Sequence, residues 1–226
     1  MEQFTDPSPS EIPRVAIVTG AAQGIGRDIA IRLADDGLDV AVNDIPTKGE
    51  QLQELVAEIR LKNRRAMAVL ADVSSEDEVI AMIARVVDEL GGVDMVANVG
   101  VLLVKPLLDT SVDEWERTIS INVRGTMLCY KYAAKQMIKQ GRGGRIIGNA
   151  MFSAYSTSKF GIRGLTQSHE FAPYNITVNA YAPGIINTAM GNCPEVISSL
   201  VSYLAKPEAH FITGQTIMVN GGFLME

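Results

Sequence analysis

The chain has 226 residues, 47% of them hydrophobic and 20% charged, and carries a formal net charge of −6. That length and balance suit one globular domain with a sizeable core, and an acidic chain without a lysine/arginine stripe argues against nucleic acid as a partner. No apolar run reaches the ~18 residues of a membrane span, and two cysteines without CxxC spacing, Cys129 and Cys193, support neither a disulfide framework nor a metal site.

In chain order, residues 1–13 are polar and proline-rich and lack the basic-then-apolar order of a signal peptide. They read as a flexible arm ahead of a single domain over 14–226, in a cytoplasmic protein. Residues 14–19 form a short apolar run ended by glycine, a buried strand. Ile25, Ile29 and Leu33 recur at helical spacing over 24–36, with Gly37 placed to end the helix. Strand 39–43 follows, then helix 47–63, strand 66–70, helix 75–90 and strand 93–97. Ser111 and Glu114 form a capping box that opens a long helix to about Gln140. Trp115, on its apolar stripe, is expected in the core. Strand 145–147, helix 153–172 and strands 176–181 and 215–219 complete the series. Such alternation predicts a Rossmann-type α/β fold, a doubly wound seven-stranded parallel sheet with helices on both faces.

Two stretches carry chemistry. Residues 19–26 read Thr-Gly-Ala-Ala-Gln-Gly-Ile-Gly between the first strand and first helix. Gly20, Gly24 and Gly26 allow a tight bend and close approach of backbone to a pyrophosphate, and the helix N-terminus, with Gln23 and Ile25, offers amides to it. Asp44 ends the second strand 18 residues after Gly26, near the ~20 expected of an acid that holds the adenosine ribose. A carboxylate there accepts from the 2′- and 3′-hydroxyls of NAD and repels the 2′-phosphate of NADP. No lysine or arginine directly follows it. Downstream, Tyr155 and Lys159 are four apart, so on a helix they share a face about 5–6 Å apart at Cβ. The ammonium favours the phenolate and brings a weak base into the working range.

With these motifs the chain resembles the short-chain dehydrogenase/reductase family, in its single-domain form, and its wording is similar to acetoin/diacetyl reductase-like members. The resemblance implies an NAD(H)-dependent oxidoreductase interconverting a secondary alcohol and a ketone, with a diketone or hydroxyketone-type substrate. It makes Tyr155 the general acid/base, gives Lys159 a second role on the nicotinamide ribose, and makes Asn122 the holder of a water that relays protons to Lys159. Asp72 and Val73 resemble the family's adenine-contacting pair. Asn98, Val99 and Gly100 occupy its Asn-Asn-Ala-Gly segment, and Pro183, Gly184, Ile186 and Thr188 match the segment facing the nicotinamide carboxamide. A homo-oligomer, tetramer or dimer, is implied. Met127, Tyr130 and Met137 on the long helix are candidates for its interface, with ordinary core as the alternative. His169 and His210 fit no motif and are expected at the surface or in packing.

Three places depart from the family pattern. Only four residues separate Ala150 from Tyr155, so the serine that holds the substrate oxygen has no counterpart, and Ser153 is too near the tyrosine. Lys159 to Pro183 is short at 167–170, where two residues fewer would turn the rest of a helix by about 200°. After Met190 the chain passes almost at once to Pro194-Glu195-Val196, where the family carries a substrate flap. The favoured account is that loop residues are missing from the chain as numbered, with Cα steps beyond the ~3.8 Å of a trans peptide near 150–151, 168–169 and 190–194. The alternative is a trimmed, non-catalytic cofactor binder.

Overall fold

The computed structural model describes residues 13–98, 100, 109–149, 161–164, 166, 171–183 and 194–220. Seven strands form one all-parallel sheet: β1 (Val15–Thr19), β2 (Asp39–Asp44), β3 (Ala66–Leu70), β4 (Met95–Asn98), β5 (Gly144–Asn149), β6 (Ile176–Pro183) and β7 (Thr216–Val219). Their spatial order is β3-β2-β1-β4-β5-β6-β7. The order reverses between β1 and β4, the point where doubly wound sheets open a crevice. Every residue of β1 and of β6 is buried, which explains why β1 reads as an unbroken apolar run rather than an alternating one.

Helices cover both faces. On one side α1 (Gly24–Asp35), α2 (Gly49–Arg60) and α6 (Pro194–Ala205) bring Ile29, Leu33, Leu52, Leu55, Ile197 and Val201 against the sheet. On the other, α3 (Glu76–Leu90) and α5 (Thr126–Gln140) supply Met82, Val86, Leu128 and Met137. The long helix expected from Ser111 is continuous but not uniform. It runs as α4 (Val112–Ile119), a π-helical stretch Ser120–Gly125 and then α5. Ser111 caps it with the reciprocal Glu114 contact that the capping box requires.

The amino ends of the strands are closed by buried carboxylates. Asp94 accepts from the Val15 amide at 2.9 Å and takes both ends of the Arg142 fork at 2.6 and 2.9 Å. Asp39 accepts from the Arg65 amide and guanidinium at 2.9 and 2.8 Å. The carboxyl ends lead instead into a cleft.

Several expectations change. Helix 47–63 starts as a 3-10 turn, Pro46–Lys48, because proline at the first position favours a tight start, and the α-helix proper is Gly49–Arg60. Strand 93–97 starts two residues later and ends one later, at Met95–Asn98, and the side chains of Gln140 and Arg142 hold Val93 and Asp94 just before it. Trp115 is half-buried rather than core. Tyr130 and Met137 are 4% and 0% exposed within the single chain, so they pack the core and do not face a partner. Of helix 153–172, residues 161–164 and 166 are helical, while Ala172 belongs to a 3-10 turn, Ala172–Tyr174. The N-terminal arm, His169 and the three junctions at 150–151, 168–169 and 190–194 lie outside the described residues.

Candidate dinucleotide site

The turn after β1 has the geometry its glycines suggest. Gly20 and Gly24 sit at φ +63° and +55°, left-handed conformations that strain other residues. Gly26 is needed for a different reason: a Cβ there would lie 2.2 Å from the Gly20 carbonyl oxygen. Helix α1 then begins with no side-chain cap on Gln23 and no acidic residue in its first turn. By contrast α3 has Ser75 accepting from Glu78 and three acids in its first turn, and α4 has its capping box. The first amides of α1 are thus left for an anion.

That turn borders a cleft of about 760 Å³ lined by Gly20, Gln23, Gly24, Asp44, Asp72, Val73 and Gly100 among others. Seven residues chosen from sequence therefore meet at one place, drawn from four separate connections of the chain. Asp44 is fixed at both oxygens: Oδ2 accepts from the Ala22 amide at 3.1 Å and Oδ1 from the Ile45 amide at 2.9 Å. These contacts tie the carboxylate at the end of β2 to the glycine turn after β1. Asp72 uses Oδ1 to accept from the Ser74 amide and hydroxyl at 2.9 and 2.7 Å, which sets the bend into α3. Its amide donates to Glu78.

Sequence reasoning passed over four lining residues with physical roles. Asn43, buried, donates from Nδ2 to the Val69 and Ala71 carbonyls, both at 3.0 Å, and so holds the end of β2 to the end of β3. A polar residue inside an apolar strand was the available signal. Ser120 and the cation Arg117 come from α4 and the π-helical stretch. Lys48 ends the 3-10 turn, its ammonium on Gln23 Oε1 at 3.2 Å. Nothing local to these last three marks them; the topology brings them to the cleft.

Other expected residues support the cleft from beneath. Ile25 and Gly26 continue the turn into α1. Asn98, 3% exposed at the end of β4, donates from Nδ2 to Thr126 Oγ1 at 2.9 Å, and Thr126 donates in turn to the Asn122 carbonyl at 2.7 Å. Asn98 therefore links β4 to the long helix. Asn122 is fully buried within the π-helical stretch, a geometry that re-aims side chains by one extra residue per turn and recurs at functional sites. Gly125 closes the stretch where a Cβ would lie 2.9 Å from Val73, so the helix rests on the loop that carries Asp72. Pro183 is buried as the last residue of β6. Tyr155, Lys159, Gly184, Ile186, Thr188 and Val99 lie outside the described residues.

Two described groups are unsuited to proton transfer. Burial pushes the Cys129 thiol up to about 12, so it stays protonated, and burial also pushes the Tyr130 phenol well above its ordinary range. His210 is exposed and its Nδ1 lies 3.0 Å from the Pro207 carbonyl, the surface role expected of it. Among the described residues no helix is long and apolar enough to cross a membrane.

A parallel sheet with a crevice at its switch point, a glycine turn and an uncapped helix N-terminus define a dinucleotide-binding α/β protein. Residues 14–194 match the family model described as short chain dehydrogenase. The chain is 46% identical to a short-chain dehydrogenase/reductase of Armillaria gallica, over 94% of this chain and 97% of that one. It is 35% identical to L-2,3-butanediol dehydrogenase of Corynebacterium glutamicum, over 93% and 98%. Among solved structures, acetoin dehydrogenase from Enterobacter cloacae matches with a TM-score of 0.86 and 33% identity, over 94% and 96%. A metagenomic blue fluorescent protein in complex with NADPH matches with 0.86 and 30%, over 96% and 100%. The chain belongs to the short-chain dehydrogenase/reductase family and is an oxidoreductase of that kind. The Armillaria alignment spans 252 positions, more than the 226 residues of this chain, so that relative carries residues with no counterpart here.

Proposed function

We propose that the protein uses NAD(H) to interconvert a secondary alcohol and a ketone, with a vicinal diketone or hydroxyketone as the substrate class. The observation that carries the cofactor half is Asp44, whose carboxylate is held at the cleft by the Ala22 and Ile45 amides. A fixed anion at the end of β2 suits a ribose diol and opposes a 2′-phosphate. The cradle fits a pyrophosphate: Gly20 and Gly24 line the cleft in left-handed conformations, and Gly26 has no room for a Cβ. The adenosine end would rest by Asp72 and Val73, and the nicotinamide end by Pro183, Gly184, Ile186 and Thr188. The nicotinamide ring supplies or accepts the hydride when bound. Tyr155 gives the carbonyl oxygen its proton or takes it from the alcohol. Lys159 keeps that phenol acidic, and Asn122 holds the water through which Lys159 exchanges protons with solvent. The resemblance to butanediol and acetoin dehydrogenases supports the substrate class. A cytoplasmic homo-oligomer, tetramer or dimer, accompanies this reading, and a native mass measurement at micromolar concentration tests the assembly.

Absorbance at the reduced-nicotinamide band, over a panel of diacetyl-like diketones, hydroxyketones and secondary alcohols, tests the reaction. Tyr155→Phe should abolish turnover and keep NAD affinity; retained activity would remove Tyr155 from the mechanism. A second reading, a cofactor-binding protein without turnover, is favoured by one observation. No serine precedes Tyr155 at the family's position, in a chain shorter than its aligned relative. NAD binding with no turnover across the panel would select it.

A further inference from the structure

We propose that Lys48 is a latent donor to a 2′-phosphate, so that preference for NAD over NADP rests on Asp44 alone. The inference rests on the NAD reading above. Asp44 and Lys48 line the same cleft and stand four residues apart, yet they form no ion pair. The carboxylate is engaged by two backbone amides, and the ammonium lies on Gln23 Oε1 at 3.2 Å. Among the described residues no carboxylate is paired with Lys48. Its partner is an exposed neutral amide oxygen, which a charged phosphate oxygen outcompetes as an acceptor. The lysine stem is flexible and carries three rotatable donors. It leaves from the 3-10 turn Pro46–Lys48 that directly follows the ribose-side strand end.

A cation and an anion of opposite preference therefore share one wall of the cleft. While Asp44 is ionised, a 2′-phosphate meets a fixed like charge. Neutralising Asp44 removes that repulsion and leaves a cation already in place. No new basic residue should be needed to admit NADP.

Dissociation constants for NAD+ and NADP+, measured by isothermal titration calorimetry on the full chain, test this. The chains compared are wild type, Asp44→Ser and Asp44→Ser with Lys48→Met, which keeps the unbranched stem. The single variant should bind NADP+ at least about tenfold more tightly than wild type, and the double variant should lose about tenfold of that gain. The single variant's NADP+ affinity should fall more steeply with salt than the double variant's. Asp44→Asn, which keeps the side chain's size and an acceptor for the turn amides, repeats the comparison should Asp44→Ser melt. Equal NADP+ affinity in the single and double variants, within twofold, would overturn the role of Lys48. So would an Asp44→Ser chain no better than wild type for NADP+. In an NAD-preferring wild type those results sink this inference alone. A wild type that prefers NADP+ sinks the NAD reading and the inference together.

Discussion

Gly26 offers a sharp test of the cradle, because its neighbour Gly24 differs in the reason it must be glycine. A Cβ at Gly26 would lie 2.2 Å from the Gly20 oxygen and 2.8 Å from its carbonyl carbon, both backbone atoms. Ordinary contact requires these atoms to part by more than about 1 Å, so the turn must move away from the helix. Overpacking of this kind costs about 1–3 kcal/mol, and here it displaces the amides proposed to meet the pyrophosphate. Gly24 sits at φ +55° with nothing within 4 Å of its Cβ. Alanine there meets strain of about 1 kcal/mol but no clash. Gly26→Ala should therefore lose both melting temperature and NAD affinity, the latter by tenfold or more, while Gly24→Ala loses less of each. Calorimetric binding with thermal denaturation reads both quantities. A Gly26→Ala chain that binds NAD within twofold of wild type and melts with it would refute the assignment of this turn as the phosphate cradle.

Asp94→Ala should destabilise the chain by about 3–5 kcal/mol in urea, because it strands the Arg142 guanidinium and the Val15 amide under the sheet; a change under 1 kcal/mol would show that the clasp matters little. Glu76 accepts from Tyr132 and Lys131, at 2.5 and 2.9 Å, and these contacts hold its carboxyl below the ordinary range. A depressed folded-state value gives stability that is present above about pH 4.3 and is lost as pH falls through the folded-state value. Denaturant midpoints of wild type and Glu76→Gln should thus differ at pH 7 and converge toward pH 3; a constant difference would count against the linkage. Thr126→Val should leave the Asn98 amide unpaired and cost about 1–3 kcal/mol, whereas Thr126→Ser should restore most of it.

The elements that periodicity revealed are those whose packing is local and one-sided. Ile29 and Leu33 on α1, and Leu52, Leu55, Val56 and Ile59 on α2, form the stripes read from spacing, and each is buried against the sheet. Trp115 was misplaced because α4 lies near a helix end beside the cleft, where an apolar residue can stay half-exposed. Tyr130 and Met137 are seven apart on one face, a spacing equally good for core or interface, and only the position of α5 against the sheet decides. The cleft shows the same division. Asp44 and the glycines were legible because each answers a backbone requirement at a strand end. Lys48, Arg117 and Ser120 were not, because their meaning comes from chain segments distant in sequence that the strand order brings together.

The departures from family length bear on this division of labour. A parallel sheet concentrates buried apolar area in strands and flanking helices, and its loops at the carboxyl ends carry specificity. Each shortfall, before Tyr155, within 167–170 and after Met190, falls on the chain after β5, whereas the glycine turn, Asp44, Asp72 and the Asn98–Thr126 link precede it. The residues proposed to hold the adenosine and pyrophosphate thus draw on a half of the chain without such shortfalls. On the proposed reading, cofactor binding and turnover should then be separable properties of this protein. Affinity for NAD should survive changes beyond Ala150 that alter or abolish reduction of a ketone. A chain that turned over diketones without the serine would place the substrate oxygen's second hydrogen bond on another group. A chain that bound NAD and left every ketone unchanged would locate the loss in those shortened segments.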